Sequence, residues 1–105
     1  MILLRISSSE RSKIEEIAAL LLEKHLIIDV NVKQNIERWN LVMNKIQKSS
    51  IYLLTGKTRA NLFSKIDEML KEKYGENMPE LYSLPIVNMD WQQADELQKF
   101  IPPNS

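Results

Sequence analysis

Apolar and polar positions change their period several times along the chain, and each change marks an element. Ile2, Leu3, Leu4 and Ile6 form a short apolar run closed by Ser7-Ser8-Ser9, the pattern of a buried strand followed by helix-capping chemistry. Ser9 or Ser12 is expected to cap the helix, and Ser12 with Glu15 has capping-box spacing. Ile14, Ile17, Ala18, Leu21 and Leu22 then recur opposite Glu15, Glu16, Glu23 and Lys24, which predicts an amphipathic helix of about four turns. From Leu26 to Val32 the period falls to two, with Ile28, Val30 and Val32 alternating with Asp29 and Asn31 as in a half-buried strand. Lys33 to Lys48 mixes Ile36, Trp39, Leu41, Val42, Met43 and Ile46 with polar residues and fits either a helix or a ragged hairpin. Ser50 to Thr55 reads as a strand, and Gly56 at its end permits a bend or a close backbone approach. Leu62, Phe63, Ile66, Met69, Leu70 and Tyr74 line one face of a second helix that Gly75 is placed to stop. Leu81 to Ile86 gives a last strand, which Pro85 assigns to a sheet edge or a strand end. Asp90 is positioned to cap a short helix through Lys99, and Pro102-Pro103 bars its extension.

The order strand, helix, strand, strand, helix, strand is that of the α+β ferredoxin-like fold, βαββαβ. It predicts a four-stranded antiparallel sheet with two helices on one face, here with a short C-terminal helix added. At 105 residues the chain reads as one domain over 1–105. Fourteen basic residues balance fourteen acidic ones. A dedicated nucleic-acid binder carries a basic excess, so no nucleic-acid partner is expected. RNA-recognition modules share this element order but stack bases on aromatic residues of their central strands. Here the first strand has only aliphatic residues and the third only Tyr52. The absence of cysteine removes disulfides, zinc thiolates and Cys nucleophiles. The longest apolar run, Ile17 to Leu22, is far short of the roughly 20 residues that span a bilayer, so no membrane insertion is expected. With no signal peptide read at Met1 to Ile6, the default expectation is a cytoplasmic protein.

Four segments at matching intervals carry a family resemblance. His25-Leu26-Ile27-Ile28-Asp29-Val30-Asn31-Val32 aligns with Arg-Leu-Ala-Ala-Cys-Val-Asn-Ile, and Asn44-Lys45-Ile46 with Gly-Lys-Ile. Leu53-Leu54-Thr55-Gly56-Lys57-Thr58-Arg59 aligns with Leu-Leu-x-x-Lys-Thr-Arg. Met78-Pro79-Glu80-Leu81-Tyr82-Ser83-Leu84-Pro85-Ile86 aligns with Val-Pro-Glu-Ile-Ile-Ala-Leu-Pro-Ile. Over essentially its whole length the chain resembles the CutA divalent-cation-tolerance family, whose trimers are related in fold to the PII signalling proteins. The resemblance implies a homotrimer with no enzymatic activity, and a divalent metal ion as the one cofactor to consider. It also implies that Trp39, Leu41 and Val42, on a middle hairpin from Val32 to Leu54, are covered by neighbouring subunits. The departures concern the site. The family's cysteine is Asp29, its His-Pro-Tyr-Glu is Tyr74-Gly75-Glu76-Asn77, and its paired hairpin tryptophans are Leu41 and Val42. These changes mark a divergent branch.

The candidate residues follow from both readings. Asp29 either faces solvent as the polar member of an alternating strand or lies in a cleft between subunits, with Glu76 or Glu80 as a further carboxylate. An Asp29 and Glu80 site offers only oxygen, which suits Mg²⁺, Ca²⁺ or Mn²⁺ rather than Cu(I). Lys57 and Arg59, read beside Glu80, are candidates for an anion cluster at a strand end, with surface ion pairing as the plainer reading. Lys57, Arg59, Tyr74 and Glu76 form the candidate ligand cleft. A PII-like sensor of nucleotides or other small molecules is the rival to metal tolerance. The single histidine, His25, reads as a helix-end or surface residue, and the methionines as packing residues. No nucleophile–base pair and no phosphate-binding glycine loop can be assembled.

Overall fold

The structure is a computed structural model that describes residues 1–101; Pro102-Pro103 lies outside the described residues. The central strand β1 (Ile2–Ser8) buries Ile2, Leu4 and Ile6 on one face by simple pleat alternation and turns Leu3, Arg5 and Ser7 to the other. Helix α1 (Arg11–Glu23) packs Ile14, Ile17 and Leu21 onto the first of these faces. Its start differs from the expected cap. Glu10 occupies the cap position without a side-chain bond, and its N–H is taken instead by Ser8 Oγ at 3.1 Å. Ser12 already lies within the first turn, past the place where its hydroxyl could cap.

The end of α1 is a Schellman motif. Leu26 N–H donates to the Leu21 carbonyl at 2.9 Å and His25 N–H to that of Leu22 at 3.1 Å, with His25 at φ 56°. Leu21 and Leu26 are both fully buried and supply the apolar contact that usually accompanies this cap. His25 therefore closes the helix through its backbone. Its ring meets Phe100 at 6.1 Å between centroids.

The stretch that periodicity leaves open is a hairpin. β2 (Ile28–Val42) and β3 (Lys45–Thr58) pair antiparallel from Ile28↔Lys57 to Val42↔Lys45. Met43 and Asn44, at φ 50° and 62°, make the two-residue turn with the paired positive φ angles of type I′. The strand expected at Leu26–Val32 thus runs ten residues further, and the one expected at Ser50–Thr55 is extended at both ends. Two bulges break the register, between Ile28 and Asn31 and between Lys33 and Ile36, each holding one Asx residue at positive φ, Asp29 (52°) and Asn35 (59°).

A 3₁₀ turn, Ala60–Leu62, leads into α2 (Phe63–Tyr74), which buries Ile66 and Leu70 and stops at Gly75, φ 56°. β4 (Glu80–Pro85) pairs with β1 and ends at Pro85 on the sheet edge. α3 (Trp91–Phe100) adds Leu97, and Ile101 just beyond it, to the same core. The sheet order is β2-β3-β1-β4, all antiparallel, so the expected α+β ferredoxin-like arrangement is the one observed. β1 ends at Ser8↔Tyr52, and beyond that point the hairpin continues as a two-stranded ribbon that helps give the molecule its longest dimension of 47 Å.

Candidate ligand cleft

The strand and helix directions sort the candidate residues onto two ends of the sheet. At one end, Asp29 sits in the first β2 bulge, and its displacement from strand geometry, rather than regular alternation, sets where its side chain goes. Lys57, which pairs with the neighbouring Ile28 from β3, donates from Nζ to Asp29 Oδ2 at 3.2 Å and to Gln93 Oε1 of α3 at 3.1 Å. Arg59 donates from Nε to the Ile101 carbonyl at 2.6 Å, while its buried Nη2 has no hydrogen-bond partner among the described residues. Thr58, fully buried between these two cations, donates to the Leu26 carbonyl at 2.7 Å and ties β3 to the segment entering β2. Between the end of α1, the start of β2 and α3 lies a cleft of about 210 Å³ lined by Leu22, Ile27, Ile28, Asp29, Glu96 and Phe100.

At the other end are Glu80, Tyr74 and Glu76. Glu80 accepts a two-pronged contact from Arg38, at 3.1 Å to Oε1 and 3.3 Å to Oε2, and a bond from Ser7 at 3.3 Å. Arg38 belongs to the outer part of the hairpin, so its reach to the opposite edge strand requires the bulged ribbon to bend over the open sheet face. Beside it Arg5 donates to the Tyr82 hydroxyl at 2.7 Å. Tyr74 donates to Glu16 Oε1 of α1 at 3.0 Å, and Lys73 pairs with the same oxygen at 3.4 Å. Burial, then the hydrogen bond and charge of Glu16, push the Tyr74 hydroxyl up to about 12. Glu76 is exposed in the 3₁₀ turn Gly75–Asn77.

Lys57 and Asp29 are thus brought together, with Arg59 nearby, but Tyr74, Glu76 and Glu80 are not. Four residues along β1 and two intervening strands separate the positions of Asp29 and Glu80, which at ordinary strand rise and spacing is about 20 Å. The expected neighbourhood of Lys57, Arg59 and Glu80 does not occur within one chain, where Glu80 has Arg38 instead. Among the described residues no group of three or more His, Cys, Asp or Glu side chains comes together to hold a metal ion. The donor set at Asp29 does not fit a divalent ion within one chain, because its one nearby cation site is filled by the Lys57 ammonium. Residues of the cleft from α3, Gln93, Glu96 and Phe100, carry no sequence signal beyond membership of a helix. Arg38 lies in the stretch whose element type periodicity does not resolve.

The family model of the CutA1 divalent ion tolerance protein matches residues 2–96. The chain belongs to the CutA1 family. Among curated proteins no sequence relative matches. Solved CutA1 structures share the fold at low identity. The periplasmic divalent cation tolerance protein CutA of Archaeoglobus fulgidus is 24% identical with TM-score 0.82, over 96% of this chain and 99% of its own. CutA1 of Oryza sativa is 22% identical with TM-score 0.83, over 97% and 94%. The divalent cation tolerance protein of Thermus thermophilus is 24% identical with TM-score 0.80, over 94% and 97%. These likenesses establish a CutA1 fold over 94–97% of the chain, onto which Asp29 and its cleft are built.

Proposed function

We propose that this CutA1 protein acts as a homotrimer in the tolerance of divalent ions, binding a ligand without transforming it. The observation that carries the trimer is the outer hairpin, where Trp39, Leu41, Met43 and Ile46 are 56, 68, 93 and 66% exposed. Apolar side chains gathered at that density on one projecting ribbon suit burial against other copies. Tolerance rests on the family, whose proteins are named for it. In cells lacking this gene, growth under raised Cu²⁺ or Mn²⁺ should fall and be restored by the intact gene. Unchanged growth across the metals would overturn the reading.

One observation favours small-molecule sensing as the means. The Asp29 cleft has largely apolar walls, and Lys57 already neutralises Asp29. A divalent ion binding there would have to displace Lys57 and exchange water for hydrocarbon, whereas hard cations such as Ca²⁺ take six to eight oxygen ligands. Nucleotide phosphates are no better served, since Lys57 is held by Asp29 and Gln93, and Arg59 is tied through Nε to the Ile101 carbonyl with its Nη2 buried.

A further inference from the structure

The cleft beside Asp29 combines three properties. Its walls are the aliphatic side chains of Leu22, Ile27 and Ile28 with the Phe100 ring. Its volume, about 210 Å³, exceeds the ~150 Å³ engineered cavity that accepts benzene, so one aromatic ring with a short substituent fits. Its polar groups are two carboxylates, Asp29 and Glu96, against one ammonium, Lys57. Lys57 reaches Asp29 through Oδ2, whereas Glu96 has no ion pair among the described residues. The lip therefore carries one uncompensated negative charge next to an aromatic face, and such a face attracts cations by its quadrupole.

We propose that this cleft binds a small organic cation, a primary ammonium attached to one aromatic ring or an alkyl body of similar size. The ring or chain lies against Leu22, Ile28 and Phe100, and the ammonium sits at the lip between Glu96 and Asp29. A hydrated metal ion gains nothing from the apolar wall, and an anion meets the wrong net charge. The inference rests on the small-molecule reading above and names the ligand class of the same site.

The test uses the assembled, ¹⁵N-labelled protein titrated at neutral pH with benzylammonium, benzyl alcohol and phenylacetate. Benzylammonium should give saturable amide shifts at Leu22, Ile28, Glu96 and Phe100, with a dissociation constant of about a millimolar. Benzyl alcohol should bind roughly fivefold more weakly, the difference expected of one partly exposed ion pair and a cation–π contact. Glu96 is solvent-exposed on α3, so Glu96→Gln keeps the fold; it should abolish the charge preference and leave the alcohol's affinity unchanged. Equal affinity for all three probes, or tighter binding of phenylacetate, would overturn the cation while leaving a small-molecule cleft. A preference for benzylammonium that survives both Glu96→Gln and Asp29→Asn would place binding elsewhere and overturn the site. Absence of saturable shifts with every probe would overturn the proposal and the small-molecule reading together.

Discussion

Gly56 shows how one residue's size sets the position of the cleft. A Cβ added there would lie 2.3 Å from Ile27 Cδ1, 2.5 Å from Ile27 Cγ1 and 3.2 Å from the Ile28 carbonyl oxygen. Ile27 is fully buried, so its side chain has no free direction in which to retreat. The absent side chain lets the segment entering β2 lie directly on β3, which brings Asp29 over Lys57. Gly56→Ala should therefore destabilise the fold by about 1–3 kcal/mol, the usual range for overpacking, with a lower urea midpoint and an unchanged slope. It should also shift the amides of Ile28 and Asp29. A midpoint equal to that of the parent protein would mean that the contact gives way without cost. Other single-residue features carry a penalty of their own. His25, Asp29, Asn35, Met43 and Asn44 all adopt positive φ, a region that side chains other than Asn, Asp and His rarely enter. The sequence offers Asx at three of these five positions. Nothing about Met43 advertises a left-handed backbone, and both it and His25 follow from the geometry around them, a two-residue hairpin turn and a helix end.

Between elements, Tyr74 to Glu16 ties the end of α2 to the middle of α1, with Lys13 and Lys73 over the ring at 5.4 and 5.9 Å. The Tyr74 hydroxyl is raised from 10.0 to about 12 in the folded protein. The folded state therefore holds this proton more tightly than the unfolded chain, and the resulting stability is complete below about pH 10. It declines as pH rises from about 10 through about 12. Tyr74→Phe removes this dependence. Its stability difference from the parent, followed by urea unfolding, should be flat up to about pH 10 and shrink above it; a constant difference to about pH 12 would refute the linkage. This helix pair is legible in the sequence, since both helices bury one stripe and the 3.6-residue period survives. The inner half of β3 is legible too, because one face is buried, and the start of β2 by its apolar–polar alternation, although Ile28 is the only buried residue of that strand. The outer halves are not. There both faces reach solvent or another molecule, so no alternation distinguishes a strand from a helix, and two bulges shift what pattern remains. The cleft is half legible: Asp29 and Lys57 stand out as polar residues among apolar neighbours, while Gln93 and Glu96 are ordinary surface positions of a helix until α3 folds back.

At the scale of the molecule, the ribbon beyond Ser8↔Tyr52 presents a physical problem that a single chain does not solve. Among the described residues it has no third strand at its side, and the cores of α1 and α2 end before it. An isolated two-stranded hairpin is marginally stable at best in water. Local contacts help only slightly: Lys48 lies over the Trp39 ring at 4.1 Å, and Trp39 Nε1 donates to Glu37, yet both are exposed interactions. Trp39, Leu41, Ile46 and Lys48 share one face of the ribbon, since Trp39 pairs with Lys48 and Leu41 with Ile46. Burying that face between copies would stabilise the ribbon and remove the exposed apolar stripe in one step, which is why the homotrimer proposed above is the assembly expected at micromolar concentration. Leu41→Glu tests it at the centre of the stripe. A carboxylate buried there without a partner is strongly unfavourable, so the variant should sediment as a monomer where the parent sediments as a trimer. Its helices and core strands should keep their circular dichroism, because Leu41 touches none of the buried core. Amide exchange should accelerate from Arg38 to Lys48 alone, the signature of a ribbon released from its partners. A parent protein that sediments as a monomer, or a Leu41→Glu variant that remains trimeric with a protected ribbon, would show that this face is not what joins the subunits.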